Sequence, residues 1–271
     1  MNSSLDYLKN IFKVIIWPIL FGIGQFTIIV IFTLIFNTTL KLDNDVLSAY
    51  METESYHIEL SKFLNDNKLI IALLTTLIFL PIFIKTYKKY KQKKSIKLTV
   101  KDISLFSLLG ISICFIFNII VYYLNNIWNF TNLYSERIVL INLVITIICT
   151  GILGPILEEY LFRGIVYNKL KKFNTKYNSM IITSLIFALL HNNYVNIIYA
   201  FLISLILTYV YEKYQTIKAP IIIHMVANTS VILFLDLITD NGYIMNTMLL
   251  LGMSFILFIV LKNIFKREYI N

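Results

Sequence analysis

The sequence has little charge. Asp, Glu, Lys and Arg make up 14% of its 271 residues, whereas soluble domains average about 25%. Hydrophobic residues make up 58%, which is above the roughly 45–50% of soluble domains. This composition excludes an ordinary soluble domain and predicts a multi-pass protein of the cell membrane.

Proline, glycine and cysteine are also scarce. The four prolines and eight glycines leave long segments without the residues that interrupt helices or mark turns. This argues against a β-barrel of short alternating segments and predicts an all-α fold, a polytopic bundle of about eight transmembrane helices. The two cysteines, Cys114 and Cys149, both lie inside apolar runs, which excludes a disulfide framework and a Cys-x-x-Cys metal site.

The positive charge of the chain is concentrated in one segment. The net charge is +9, but residues 85–101 alone hold eight lysines and no acidic residue, directly between two apolar runs. Such a segment is typical of a cytoplasmic loop next to a membrane surface that contains anionic lipid. We therefore expect a lipid bilayer, and no nucleic acid, as a partner.

Windows of about 20 apolar residues predict the helices that cross the bilayer. Eight runs are present, at residues 11–36, 69–84, 103–124, 138–157, 178–190, 195–211, 221–237 and 244–261. The fifth and sixth are the weakest, because they are short and only the polar stretch 191–193 separates them. The first is longer than a signal-peptide core and lacks a small-x-small cleavage site, so we interpret it as an uncleaved span.

The loop charges predict the orientation of the bundle. With both termini in the cytoplasm, the basic segments 85–101, 169–176, 213–218 and 262–267 lie inside, as the positive-inside rule requires. Only four of the 24 Lys and Arg residues then lie outside, namely Lys41, Lys62, Lys68 and Arg137. The outer segment 37–68 is acidic, and its apolar periodicity predicts an amphipathic helix in the membrane interface.

Few ionisable groups remain inside the predicted spans. Span four carries Glu158, Glu159 and Arg163, and span five ends at His191. Span seven carries His224, with Asn228 four residues later. A charged group in hydrocarbon costs roughly 2.5–3.5 kcal/mol on insertion scales, so these residues indicate a functional site.

Helix geometry predicts different tasks for the two adjacent glutamates. Successive residues are about 100° apart on a helix, so Glu158 and Glu159 cannot face the same way. Glu159 and Arg163 are four residues apart and share a face, which predicts a structural ion pair. Glu158 is then free to face another helix, and the glycines and proline of residues 151–155 allow close approach and loosen the turn before it.

These residue types favour hydrolysis. A carboxylate and an imidazole facing a small water-filled cavity can hold and deprotonate a water molecule, and a second imidazole beside an amide can stabilise an oxyanion. Zinc is the alternative, because two histidines and one glutamate (Glu158, His191 and His224) form a ligand set with an open position. We favour direct water activation without a cofactor, because the histidines lack the compact His-Glu-x-x-His spacing.

Three short segments resemble the motifs of a known family. "EEYLFRG" at 158–164, "FALLH" at 187–191 and "HMVAN" at 224–228 match E-E-x-x-x-R, F-x-x-x-H and H-x-x-x-N of the CPBP family. This family contains CAAX-prenyl-protease and bacteriocin-processing enzymes and is also called the Abi-domain family. Each motif is weak alone, but the ordered triple on membrane spans is specific.

The resemblance implies a glutamate-dependent intramembrane endopeptidase with an eight-helix core and a cavity open to the cytoplasm. Glu158 would be the general base, His191 its water-binding partner, and His224 with Asn228 the oxyanion site. The predicted ion pair would brace the helix. The substrate would be a membrane-associated peptide or protein.

The motifs also divide the chain. Residues 1–130 carry none of them and hold the N-terminal spans with the acidic outer loop and the lysine-rich loop. Residues 131–240 are the expected catalytic core, and residues 241–271 are the last span with a basic tail.

Two other functions stay open, a bacteriocin self-immunity or scaffold protein without essential catalysis and a proton-coupled transporter. The lack of an inverted repeat argues against the transporter.

Overall fold

The chain folds into ten helices in the computed structural model, which describes residues 2–90, 96–128, 143–191, 194–240 and 242–266. The helices are α1 (Asn2–Thr39), α2 (Asn44–Met51), α3 (Glu54–Asp66), α4 (Lys68–Tyr87), α5 (Val100–Trp128), α6 (Leu143–Leu170), α7 (Lys176–Ala188), α8 (Tyr194–Tyr214), α9 (Lys218–Asp240) and α10 (Tyr243–Lys266). The described residues contain no strand, and the predicted all-α polytopic bundle is confirmed. Five predicted features lie wholly or partly outside these residues. They are the loop 125–137, the start of the fourth run at 138, the polar residues 192 and 193, the lysine-rich loop and the end of the basic tail.

Within the described residues, six helices are long and apolar enough to cross a membrane: α1, α4, α5, α6, α8 and α10. The other two predicted spans correspond to α7 and α9. Helix α7 has 13 residues, about 20 Å, which is shorter than the roughly 30 Å hydrocarbon core. Helix α9 has 23 residues, about 35 Å, which is longer than that core. Each of the eight predicted runs therefore corresponds to a helix in the described residues, and α7 is shorter than the hydrocarbon core.

The acidic segment between α1 and α4 forms two short helices, α2 and α3. Tyr56 of α3 is buried, and its hydroxyl donates to Asn37 Oδ1 at 2.8 Å, near the end of α1. The Phe36 ring packs against the rings of Tyr56 and Phe63. The predicted helical character is thus confirmed, with two helices instead of one, and their location in the membrane interface stays a prediction.

Helix α9 lies very close to two neighbours. A Cβ added at Gly110 of α5 would come within 2.6 Å of the Ile223 carbonyl oxygen, and one added at Gly151 of α6 within 2.8 Å of Thr229 Oγ1. Because a glycine has no Cβ, the backbones can approach to this distance. The two glycines therefore hold α9 between α5 and α6, on either side of the segment that carries His224 and Asn228.

Helix α6 is irregular on both sides of its acidic pair. Two π-helical segments, Ile147–Leu153 and Tyr160–Tyr167, flank a regular α-helical segment at Gly154–Glu159. The Gly154 N–H donates to the Cys149 carbonyl five residues back, and Pro155 has no N–H to donate. This confirms the loosened turn that the glycines and proline predict. Such π-turns are frequent at functional sites because they redirect the side chains around them.

Candidate active site

The Arg163 side chain is completely buried between α6 and α8. Its Nη1 donates to Glu159 Oε1 at 2.7 Å, as the four-residue spacing predicts. Nη2 donates to the Ser204 hydroxyl at 2.8 Å and to the Ser204 carbonyl at 3.2 Å. Nε donates to Thr208 Oγ1 at 3.3 Å. A guanidinium can be buried at acceptable cost when its donors are satisfied in this way.

Glu159 connects this arginine to a histidine on another helix. His224 Nδ1 lies 2.8 Å from the same oxygen, Glu159 Oε1, that accepts from Arg163. A carboxylate can only accept, so Nδ1 carries a hydrogen and donates it. The other oxygen, Glu159 Oε2, has no hydrogen-bond partner among the described residues. Glu159 therefore fixes the ring of His224 as well as pairing with Arg163, a contact that sequence reasoning did not predict.

Glu158 has a different environment from its neighbour. Its side chain is 36% exposed, whereas that of Glu159 is 0% exposed. Glu158 Oε2 lies 3.7 Å from His224 Nε2, which is beyond hydrogen-bond distance but within the range of an ion pair when the ring is protonated. His224 thus lies between the two carboxylates, and the predicted separation of their environments is present.

His191 follows the end of α7 and bonds back to it. Its Nδ1 lies 3.1 Å from the Phe187 carbonyl oxygen. Since a carbonyl only accepts, Nδ1 carries the hydrogen, and in the neutral ring the Nε2 atom keeps a lone pair. The buried Phe187 ring lies 5.0 Å from the His191 ring and 6.1 Å from the His224 ring. The Phe187 ring therefore packs beside both histidines.

Glu158, His191 and Asn228 line one cavity of ≈ 370 Å³. The amide of Asn228 also donates to the Thr150 carbonyl at 3.2 Å, across the gap between α9 and α6. His224 is not among the lining residues, although it shares a helix face with Asn228. The structure thus brings Glu158, His191 and Asn228 together at one surface, and it places His224 Nε2 3.7 Å from the Glu158 carboxylate of that surface.

The cavity extends in one direction from Glu158. On α6 its lining runs from Cys149 to Phe162, whereas the following residues up to Leu170 do not line it. The cavity therefore lies on the side of Glu158 away from Lys169 and the basic loop that follows. No residue of that basic end lines the cavity. The opening towards the cytoplasm therefore stays a prediction.

Comparison with known proteins points to a membrane protease. The family described as "Type II CAAX prenyl endopeptidase Rce1-like" matches residues 140–230, a stretch that contains all three motifs. The membrane-embedded CAAX protease MroQ of Staphylococcus aureus (strain USA300) is 30% identical over 190 residues, which cover 65% of this chain and 76% of MroQ. The chain belongs to the CPBP family of intramembrane proteases.

Two further relatives match shorter segments of this CPBP chain. YdiL, a candidate membrane peptidase of Bacillus subtilis (strain 168), is 30% identical over 87 residues, or 32% of this chain and 36% of its own length. An uncharacterized 24.3 kDa protein of Escherichia coli is 31% identical over 109 residues, or 38% of this chain and 50% of its own length. No solved structure matches.

The candidate metal ligands of this CPBP chain do not form a ready ligand set. Among the described residues, no three His, Cys, Asp or Glu side chains lie together closely enough to hold a metal ion. The donor types of Glu158, His191 and His224 do suit zinc.

The motifs of the CPBP family describe only one wall of the cavity. The opposite wall consists of Phe21, Gly22 and Gln25 of α1 together with Ala72, Thr75 and Thr76 of α4. Sequence reasoning missed these residues because it considered only ionisable groups inside the spans. One signal was present, since Gln25 is the only side-chain amide in the apolar run 14–36.

Proposed function

We propose that this CPBP-family chain is an intramembrane endopeptidase that cleaves a membrane-associated peptide or protein with a water molecule activated by Glu158. The observation that carries this proposal is the difference in environment between the two adjacent glutamates. Glu159 is buried and neutralised by Arg163, whereas Glu158 faces a cavity that also contains His191 and Asn228. A carboxylate kept free at such a surface is a candidate general base.

The proposed reaction begins with a water molecule held by Glu158 and His191. Glu158 takes one proton from the water, and the remaining hydroxide attacks the carbonyl carbon of the scissile amide. The carbonyl oxygen becomes an oxyanion, which the amide of Asn228 and Nε2–H of protonated His224 stabilise. Glu158 then gives its proton to the leaving nitrogen as the C–N bond breaks, so that it is a carboxylate again.

Glu159 supports this cycle without touching the substrate. Its carboxylate accepts from His224 Nδ1, which fixes the ring orientation and leaves Nε2 as the atom that faces away from Glu159. This is the same relation that an aspartate has to the histidine of a hydrolase triad. Sequence reasoning gave Glu159 a bracing role only, and the proposal extends that role to His224.

The first test compares Glu158→Gln with the unchanged protein. The substitution keeps the shape of the side chain and removes the base, so cleavage should fall by at least about 10²-fold while abundance and folding are retained. Membrane proteomes of cells with either form should differ in the fragments that depend on the active protein. Glu59→Gln, on the exposed α3, is the matched control and should leave the fragments unchanged.

The outcome also separates the proposal from a scaffold or immunity function. If Glu158→Gln leaves the fragment pattern and the cellular phenotype unchanged, catalysis is not the role of this chain.

A strong chelator added to the purified protein tests whether turnover depends on zinc. We expect turnover to continue, since Glu158 and His191 suffice to activate water. Loss of turnover with the chelator and recovery with added zinc would contradict that expectation.

A further inference from the structure

The wall of the cavity opposite Glu158 contains an unusual polar residue, Gln25. It lies in the middle of α1, in the apolar run 14–36. The two threonines of this run satisfy themselves, because Thr27 Oγ1 donates to the Ile23 carbonyl at 2.8 Å and Thr33 Oγ1 to Ile29 at 3.1 Å. The Gln25 amide has no hydrogen-bond partner among the described residues. The Gln25 side chain is exposed, and an amide without a protein partner in the apolar run of a spanning helix favours a ligand that can pair with it.

The other polar residues of this wall do not offer the same groups. Thr75 and Thr76 of α4 are buried, and their hydroxyls donate to the carbonyls of Ile71 and Ala72 at 2.8 and 2.9 Å. Their donors are therefore already used. Gln25 keeps two N–H donors and one carbonyl acceptor, and the residue lines the cavity.

Gln25 lies at the same depth as Glu158. The Lys169 ammonium donates to the Lys13 carbonyl at 2.8 Å, which brings α1 and α6 together near the basic end of the bundle. Gln25 lies twelve residues beyond Lys13 on α1, about 18 Å along the axis. Glu158 lies eleven residues before Lys169 on α6, about 16 Å along the axis. The two side chains therefore lie on opposite walls at about one level, as their common cavity requires.

The space beside Gln25 is open. Gly22, one turn away on the same face of α1, lines the cavity, and a Cβ built on it would meet no atom within 4 Å. Gly24 differs, because its Cβ would come within 2.2 Å of the Phe79 ring, so that glycine serves helix packing. The volume of ≈ 370 Å³ is at the lower end of the roughly 300–1,000 Å³ typical of ligand pockets. It suits a short extended peptide segment.

From these observations we propose that Gln25 binds the backbone of the substrate peptide and holds it against Glu158, with Gly22 leaving room for the chain. This inference rests on the proposed peptidase function. A glutamine amide can donate to a peptide carbonyl and accept from a peptide N–H at once, which recognises an extended backbone whatever its side chains. Phe21 and Ala72 give this wall apolar surface beside Gln25, so the segment bound there carries apolar side chains.

The test uses the purified full chain in phosphatidylcholine vesicles and a pool of quenched-fluorescent apolar peptides of randomised sequence. Gln25→Leu should raise the apparent KM for cleavage about 5- to 100-fold, the range for two lost hydrogen bonds, and change kcat by less than about threefold. Gln25→Asn should retain more activity than Gln25→Leu. A purely structural role in the membrane predicts the reverse order, because leucine suits a lipid-embedded helix better than asparagine.

Two controls make the result specific. Thr27→Val lies on the same helix and removes a hydroxyl that is already satisfied, so its KM should stay unchanged. Gly22→Leu should fill the open space and abolish binding, while the thermal stability of the protein is retained.

Failure of the inference and failure of the proposed function are distinguishable. If Glu158→Gln removes cleavage but Gln25→Leu leaves KM unchanged, only the role of Gln25 is overturned. Binding of the fluorescent peptides to the inactive Glu158→Gln protein gives a second readout, which Gln25→Leu should weaken by the same factor. If the unchanged protein neither binds nor cleaves the peptides, both the inference and the peptidase function are wrong.

Discussion

At the scale of single residues, the centre of the site is one oxygen atom. Glu159 Oε1 accepts hydrogen bonds from Arg163 on its own helix and from His224 on α9. The same carboxylate therefore neutralises Arg163 and orients the imidazole ring of His224, which the proposed mechanism needs. Loss of this carboxylate should affect stability first, because it leaves the Arg163 charge buried without its partner.

We predict that Glu159→Gln destabilises the folded protein by about 3–5 kcal/mol, the usual cost of breaking a buried ion pair from one side. Unfolding of the purified protein in detergent measures this, with Glu158→Gln as the matched neighbour that should remain near the unchanged stability. The double variant Glu159→Gln with Arg163→Met should recover part of the loss, since it removes the unpaired charge. Equal stability of Glu159→Gln and Glu158→Gln would contradict the assignment.

At the scale of elements, the decisive contact is the close approach of α9 to α5 at Gly110. A methyl group there would meet the Ile223 carbonyl at 2.6 Å, and backbone cannot move aside as a flexible side chain can. Helix α9 would have to shift, and His224, the next residue, would shift with it. A displacement of about 1 Å at a catalytic group can cost on the order of 10²-fold in rate.

We therefore expect Gly110→Ala to lower kcat by 10- to 100-fold, with a smaller effect on KM, because it misplaces His224 and leaves the substrate wall intact. Peptide cleavage in vesicles measures both values. Gly252→Ala on α10 is the control, since a Cβ there meets nothing within 4 Å. The control should keep full activity and could gain up to about 1 kcal/mol from helix propensity. Full activity of Gly110→Ala would show that α9 adjusts freely.

Local patterns in the sequence predict the helices and the Glu159–Arg163 pair. They do not predict contacts between residues that are far apart in the chain. Apolar run length locates a helix, and a four-residue spacing specifies a shared face, because both are properties of one segment. The bond between Glu159 and His224 joins residues 65 positions apart. Periodicity shows which face of a helix is polar, but it does not identify the helix that packs there. Gln25 is not ionisable, and the cavity that it shares with Glu158 of α6 is likewise a contact between distant segments of the chain.

At the scale of the whole molecule, the remaining question is orientation. The positive-inside rule predicts that the lysine-rich loop after α4 faces the cytoplasm and that α2 and α3 face outward. Both native cysteines are buried, so single cysteines introduced elsewhere can be labelled selectively once Cys114 and Cys149 are replaced by alanine.

We predict that an impermeant thiol reagent added to intact cells labels Glu59→Cys and leaves Lys88→Cys at least about tenfold less labelled, because charged reagents do not cross the bilayer. Both positions are exposed, so access alone does not separate them. Permeabilised cells provide the control, in which both cysteines should react equally. Labelling of Lys88→Cys in intact cells would invert the bundle and place the basic loops outside.

The buried arginine also has a consequence for how the protein is made. Helix α6 is synthesised before the helices that satisfy it: Thr208 follows Arg163 by 45 residues, and His224 follows Glu159 by 65. At about 5–20 residues per second, a ribosome needs roughly 3–13 seconds to produce those 65 residues. During that time Glu159 and Arg163 can neutralise only each other. The remaining guanidinium donors lack their acceptors until α8 has been synthesised. We expect α6 to stay at the insertion machinery until α8 arrives, so that nascent chains stopped before Ser204 are degraded.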